Sequence, residues 1–308
     1  RVLYRREDGR GYALLLDRCP HRFAPLSLGR RQGDTIACRY HGLEFGPNGH
    51  CTRNPFSDHR PQGDCVGHLP MLVRHGLVWF WPGNPAAADP ALIPDFSFLD
   101  GLNVWRRHSD FAGDHELLSD NLLDLSHVDY LHRDTFATSG THAESEQKIF
   151  DGEVNTLLTT WRIPRVRRFP VIEPLFAANE SVDQLLELRW DPPSSMMLRI
   201  SWLATGADPR EIRLSMPTPH IVTPEGPGRS HYFWSCEPDE ASERFARAVF
   251  DGEDRPMIEA VQQRMAGRTF WELNPLVIEG DRAAVRARRR LQKLRRSEQD
   301  SSISKASG

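Results

Sequence analysis

No apolar run in this chain approaches the roughly 20 residues that a membrane-spanning helix needs. The most hydrophobic stretches, Tyr12–Leu16 and Leu77–Trp81, are only strand length. Cysteine is scarce: there are five among 308 residues, an odd number, and two of them sit beside histidines. That usage excludes a secreted disulfide framework and suits metal chemistry in a reducing compartment, expected to be the bacterial cytoplasm. Charge of one sign is lacking as well. A formal net charge of −3 does not recommend nucleic-acid binding, which needs a net basic face, and neither a nucleic acid nor a membrane is an expected partner. No Gly-x-Gly-x-x-Gly opens a helix, so no resident dinucleotide is expected. Signal-peptide features and internal repeats are absent. The chain opens on Arg1 directly into a strand-like run, and further residues are expected upstream of it.

The present residues fall into two textures. Up to about residue 105, short strand candidates ("RVLYRRE", "YALLLD", "TIACRY", "LVWFW") alternate with Gly- and Pro-rich turns, one of them "DGRG". This reads as an all-β module, with "PGNPAAADPALIPDF" as its exit linker. Residues 106–308 read as α+β. His115–His132 carries leucines at helical offsets, and alternating apolar residues over 148–204 and 211–235 predict strands of a curved antiparallel sheet. Further helices are predicted over 238–268 and, strongly basic, over 281–296. The polar tail "SEQDSSISKASG" is expected to be disordered.

Two short stretches carry the chemistry. In the first, Cys19-x-His21 is followed after sixteen residues by Cys38-x-x-His41-Gly42. Two cysteines and two histidines can hold one zinc ion. They can equally hold a two-iron, two-sulfide cluster, with thiolates on one iron and imidazoles on the other. One Cys and one His per loop, in an all-β setting, favours the cluster, because each loop must reach both irons. Cys51, Cys65 and Cys236 have no partner at ligand spacing and read as buried or incidental.

The second stretch is "DNLLDLSHVDYLH", which offers Asn121, Asp124, His127 and His132. Asp124 and His127 share a helix face. His127 and His132 are five apart and do not, so a π-type widening or a break near Val128–Tyr130 is expected. Two histidines and one carboxylate on one face of an iron leave positions for oxygen and substrate.

These motifs resemble the Rieske non-haem iron oxygenases. "DRCPHRFAPLSLGR" with "CRYHGLEF", and "NLLDLSHVDYLHRDTF" with "PHIVTPEGPGRSHYFW", are most similar to the α-only branch typified by vanillate and dicamba O-demethylases. The resemblance spans about Leu3 to Arg290. It implies an N-terminal all-β Rieske domain over 1–105 and a helix-grip-like catalytic domain over 106–308. It also implies that Cys19 and Cys38 hold one cluster iron and His21 and His41 the other. His127 and His132 would hold a mononuclear Fe(II), with a third carboxylate from a late helix. Among Asp251, Glu253, Asp254 and Glu259, the Glu-Asp-Arg step selects Asp254, although an acid-rich helix N-terminus needs no metal to explain it.

Further roles follow from the same resemblance. Asp124 would bridge His41 of a neighbouring subunit to His127 within a head-to-tail homotrimer, supported by Asn121. His220, within "HIVTPE", would face the substrate, with Trp202 and His231 as further candidates. Met196 and Met197 read as core. The implied activity is O-demethylation of a methoxylated aromatic acid to a phenol and formaldehyde, using O2 and electrons from NAD(P)H through a separate flavin and iron–sulfur reductase or ferredoxin. Ring hydroxylation or N-demethylation by the same machinery is the alternative. An electron-transfer or zinc protein without oxygenase activity stays open. The basic run "RAAVRARRRLQKLRR" reads either as a reductase dock or as a solvated helix face.

Overall fold

The structure, a computed structural model, describes residues 1–7, 9 and 11–306, with side chains as far as residue 300. The expected "DGRG" turn lies partly outside the described residues. Two compact units part between Asp100 and Gly101.

The first unit is built from small antiparallel sheets. β1 (Val2–Arg5) pairs with β2 (Tyr12–Leu15), and β7 (Met71–Arg74) pairs with β8 (Leu77–Phe80). Between them lies a four-stranded sheet of β3 (Arg30–Gln32), β4 (Thr35–Ala37), β5 (Glu44–Phe45) and β6 (Cys51–Arg53) in sequence order. Its core gathers Val2, Leu15, Leu26, Ile36, Phe45 and Val66. The Pro- and Ala-rich segment is not featureless. Its 3-10 turns Pro85–Ala87 and Pro90–Leu92 are capped by the side chains of Asn84 and Asp89, each followed by proline, whose fixed φ suits a first helical position.

The second unit centres on one seven-stranded sheet. Its strands are β9 (Trp105–Phe111), β10 (Glu146–Asp151), β11 (Leu157–Ile163), β12 (Val182–Asp191), β13 (Ser195–Ala204), β14 (Leu214–Gly226) and β15 (Arg229–Cys236). The spatial order is β10-β11-β12-β13-β14-β15-β9, antiparallel throughout, with β9 at one edge. Alternation fixes the register. Leu186, Leu188 and Trp190 stand opposite Ile200, Leu198 and Met196, and this face forms the core.

Helices α1 (His115–Leu123), α2 (Val128–Leu131), α3 (Glu240–Arg247), α4 (Arg255–Met265) and α5 (Arg282–Ala306) complete the unit. α1 packs on β12 and β14, and α5 packs on α1 and β11. The basic run on α5 is mostly exposed, but several of its arginines bond to neighbouring elements. Buried Arg288 forks onto Asp120 at 2.6–2.9 Å and reaches Glu116 at 2.6 Å, Arg295 bonds Glu116, and Arg286 and Arg290 both bond Asp151. These four arginines tie α5 to α1 and β10, while Arg289, Lys293 and Arg296 stay exposed, as a solvated helix face would have them. α5 also continues through Ala306, so the tail expected to be disordered is helical that far. Extending a helix already nucleated on a packed surface costs much less than starting one.

Candidate metal centres

The first centre is made by two loops that repeat one backbone pattern. The amide of Cys19 donates to the carbonyl of Ala24, and Phe23 N–H returns to Cys19 O, at 2.8 and 2.9 Å. Cys38 N–H donates to Leu43 O, and Gly42 N–H returns to Cys38 O, at the same two distances. The fourth residue after each cysteine has positive φ: Phe23 at 60° and Gly42 at 76°. Glycine takes that conformation without penalty, whereas phenylalanine is strained there, a cost of order 1–3 kcal/mol that clusters at functional sites.

The pattern points the cysteines inward and the histidines outward. Cys19 and Cys38 are buried at 2% and 3% exposure, while His21 is exposed and His41 half-buried. The two imidazoles meet edge to face with ring centroids 4.6 Å apart. Burial, and the neighbouring Cys38 thiol, push the Cys19 thiol above its ordinary range, so two adjacent thiolates here need a cation between them. Inner sulfur donors and outer nitrogen donors, each loop giving one of both, suit a two-iron cluster better than a single zinc ion.

At the second centre, α1 ends where Asp124 takes extended dihedrals. A 3-10 turn, Leu125–His127, follows, with the Asp124 carboxylate accepting from Ser126 N–H at 2.9 Å. α2 then runs only to Leu131, and His132 leaves helical geometry. The discontinuity expected near Val128–Tyr130 thus lies at Asp124, and a second one lies at His132. Together they turn both imidazoles to one point, with Nε2 atoms 3.2 Å apart.

The third donor comes from an irregular element that sequence periodicity does not reveal. Ala248–Asp254 is a π-helix running straight into α4. Pro256 supplies a reason: its ring would clash with the carbonyl four residues back in an α-helix, and the wider turn relieves that. Asp254, buried at 6% exposure, therefore ends a π-segment instead of opening a helix. Its Oδ1 lies 3.3 Å from His132 Nε2 and 3.8 Å from His127 Nε2. Donors bound about 2.1 Å from one ion at tetrahedral or octahedral angles stand roughly 3.0–3.4 Å apart. The triangle fits one ion after a small contraction.

Each donor is held from behind. His127 Nδ1–H donates to the Asp124 main-chain carbonyl at 2.6 Å, and His132 Nδ1–H to Glu253 Oε2 at 2.7 Å, so both Nε2 lone pairs point inward. Asn121 Nδ2 donates to Asp254 Oδ1 at 3.0 Å. Burial holds His127 below the ordinary imidazole range. At His132 burial acts the same way, but Asp254 and Glu253 outweigh it and hold the group above that range.

Several expected site residues sit elsewhere than anticipated. Asn121 serves Asp254, not the Asp124 bridge. Asp124 meets His127 through its carbonyl, not through its carboxylate. His220 is fully buried, and its ring is engaged on both sides. Thr218 Oγ1, which donates to Leu198 O, accepts from His220 Nε2–H at 2.9 Å, and Tyr232 O–H donates to Nδ1 at 2.5 Å. Burial lowers the His220 pKa to about 4, so the ring is neutral. His231 is one residue from Tyr232 along β15 and so points to the opposite, exposed face, away from the buried triad. Trp202 does lie on the buried face opposite Gln184, and its indole N–H has no partner; neither has that of Trp190.

Glu253 as a support and His142 were not anticipated. His142 is 5% exposed, and both its ring nitrogens lack partners. Its main-chain N–H is nevertheless anchored, to Thr138 Oγ1 at 3.0 Å and Asp129 Oδ2 at 3.3 Å. Asp129 stands on α2, two residues from His127. No local motif marks His142, because only the fold brings it there.

Comparison with known proteins agrees with this geometry. Residues 1–70 match the Rieske 2Fe-2S domain, and residues 111–297 match the vanillate O-demethylase oxygenase C-terminal domain. The chain is 35% identical to the oxygenase component of dicamba O-demethylase from Stenotrophomonas maltophilia, covering 96% of this chain and 90% of that protein. It is also 35% identical to the oxygenase component of chloroacetanilide N-alkylformylase from Rhizorhabdus wittichii, covering 94% and 86%. The crystal structure of dicamba monooxygenase bound to dicamba superposes with a TM-score of 0.86 at 32% identity over 97% of this chain and 90% of that one. A second, with non-heme iron and dicamba, gives 0.80 at 32% identity with the same coverage. The chain belongs to the Rieske non-haem iron oxygenases, in the family of the vanillate O-demethylase oxygenase component.

Proposed function

We propose that this chain is the terminal oxygenase component of an aromatic O-demethylase, acting on a methoxylated aromatic acid. Cys19, Cys38, His21 and His41 would hold the two-iron cluster, and His127, His132 and Asp254 the mononuclear iron. When bound, the two centres supply one-electron transfer and dioxygen activation, the chemistry that turns an aryl methyl ether into a phenol and formaldehyde. The observation that carries the reading is the buried His127–His132–Asp254 triangle in a chain that also carries paired Cys–His loops.

The remaining residues have positioning work. Asp124, Glu253 and Asn121 fix the three donors. The second oxygen of the Asp124 carboxylate has no partner among the described residues, and it is the group that would meet His41 of a neighbouring copy in a homotrimer. Trp202 and His142 offer unpaired polar atoms to the polar groups of a bound substrate. His220 would reach substrate only by exchanging its bond to Thr218 or Tyr232. Electrons would come from NAD(P)H through a separate flavin and iron–sulfur reductase or ferredoxin, with O2 as co-substrate, in the bacterial cytoplasm.

N-dealkylation is the second reading, favoured by the 35% identity to chloroacetanilide N-alkylformylase. Assays with a surrogate reductase separate the two. Formaldehyde release from methoxybenzoates, dicamba and vanillate included, supports O-demethylation. Turnover of N-alkyl chloroacetanilides alone supports the second reading, and no oxygen uptake with either panel would remove both.

A further inference from the structure

A second constellation of metal-ligating side chains lies on the exposed face of the same sheet. β9 presents His108 and Asp110, two residues apart and therefore on one face. On the neighbouring strand, His231 pairs directly with Asp110. His231 Nδ1 lies 3.1 Å from His108 Nε2 and 3.0 Å from Asp110 Oδ1, and His108 Nε2 lies 3.6 Å from Asp110 Oδ1. This triangle is as tight as the buried one and close to the roughly 3.0–3.4 Å expected of donors on a single ion.

With the imidazole protons on His108 Nδ1 and His231 Nε2, three lone pairs converge from His108 Nε2, His231 Nδ1 and Asp110 Oδ1, and one cation would take all three. The imidazoles are also oriented from the side, since the Phe233 ring, paired opposite His108, packs 4.9 Å from that ring and 6.5 Å from His231. The side chains remain 40%, 64% and 33% exposed for His108, Asp110 and His231, which leaves room for water as a fourth ligand.

We propose that His108, Asp110 and His231 form a surface site for a zinc-class divalent cation, separate from both iron centres. Two imidazole nitrogens and one carboxylate oxygen, with an open position, suit Zn2+, and by the usual affinity order Cu2+ as well. Among the described residues, β9 has no strand on its outer side. A bound ion would cross-link that edge strand to β15, where a single-strand edge is otherwise free to fray or pair with another chain.

The test uses the iron-loaded protein, titrated with zinc chloride by calorimetry and followed by thermal unfolding. One zinc per chain should bind and raise Tm. His108→Ala and Asp110→Asn should each weaken uptake about tenfold or more and abolish the rise in Tm, leaving cluster and iron spectra unchanged. His127→Ala, which disables the buried triad, should leave the zinc event intact. Uptake that survives His108→Ala and Asp110→Asn but disappears in His127→Ala would place the zinc at the buried triad and overturn the proposal, and so would no uptake at all.

Discussion

At the scale of single residues, the hydrogen bonds behind the donors set how the donors are aimed. Asp254 offers one oxygen to both imidazoles, and Asn121 is the group that aims it. Asn121→Ala is expected to weaken iron retention about 10–100-fold in competition with a chelator, leaving cluster absorbance unchanged. Equal retention in variant and wild type would mean that Asp254 needs no aiming.

His142 and Trp202 differ in what an unpaired polar atom implies. Burying a tryptophan removes about 150–250 Å² from water, worth roughly 4–6 kcal/mol, which outweighs an unmade N–H bond costing about 1–3 kcal/mol. A histidine gains far less from burial and here leaves two nitrogens unbonded, so its position calls for a ligand more strongly. His142→Phe is therefore expected to weaken substrate binding severalfold, measured by calorimetry with the best-turned-over methoxybenzoate, while Tm holds or rises. Lower Tm with unchanged affinity would make His142 structural.

At the scale of elements, the two centres were legible to different degrees. Both Rieske loops could be read from sequence because every ligand lies within a few residues of a turn that only its own loop must form. The two histidines of the second centre were legible for the same reason, but the break that joins them was displaced to Asp124. Asp254 could be chosen among four neighbouring acids only by the resemblance of its Glu-Asp-Arg step to the family's ligand position, and the π-helix beneath it could not, since Pro256 shows the need for irregularity and not its form. His231 was misjudged because alternation along a strand does not tell which face is buried until the register with β9 is known.

The π-segment yields its own prediction. Deleting Gly252 removes the extra residue and rotates Asp254, together with α4, by roughly 100° relative to α3. Mononuclear iron should be lost while the cluster is retained, as read by metal analysis together with the absorbance of the cluster. Retention of all iron would show that the π-turn does not position the ligand.

At the scale of the whole molecule, the arrangement makes sense as a division of labour between a cluster module and an oxygenase module. In the proposed head-to-tail homotrimer, their linkage across copies would rest on Asp124. Its carbonyl holds His127, so Asp124→Asn keeps that bond and changes only the carboxylate. Both metal contents should persist while turnover falls by orders of magnitude, and full turnover would rule out a carboxylate bridge. The residues behind this scale were the least legible in sequence: Asn121 and Asp254 are 133 positions apart, and Arg288 is 168 from Asp120, so only the fold pairs them.

The most direct measurement is metal and acid-labile sulfide content of anaerobically reconstituted protein, wild type beside His127→Ala. The account predicts about three irons and about two sulfides per chain, falling to about two irons with sulfide unchanged in the variant. One zinc per chain without sulfide, or iron content indifferent to His127→Ala, would contradict it.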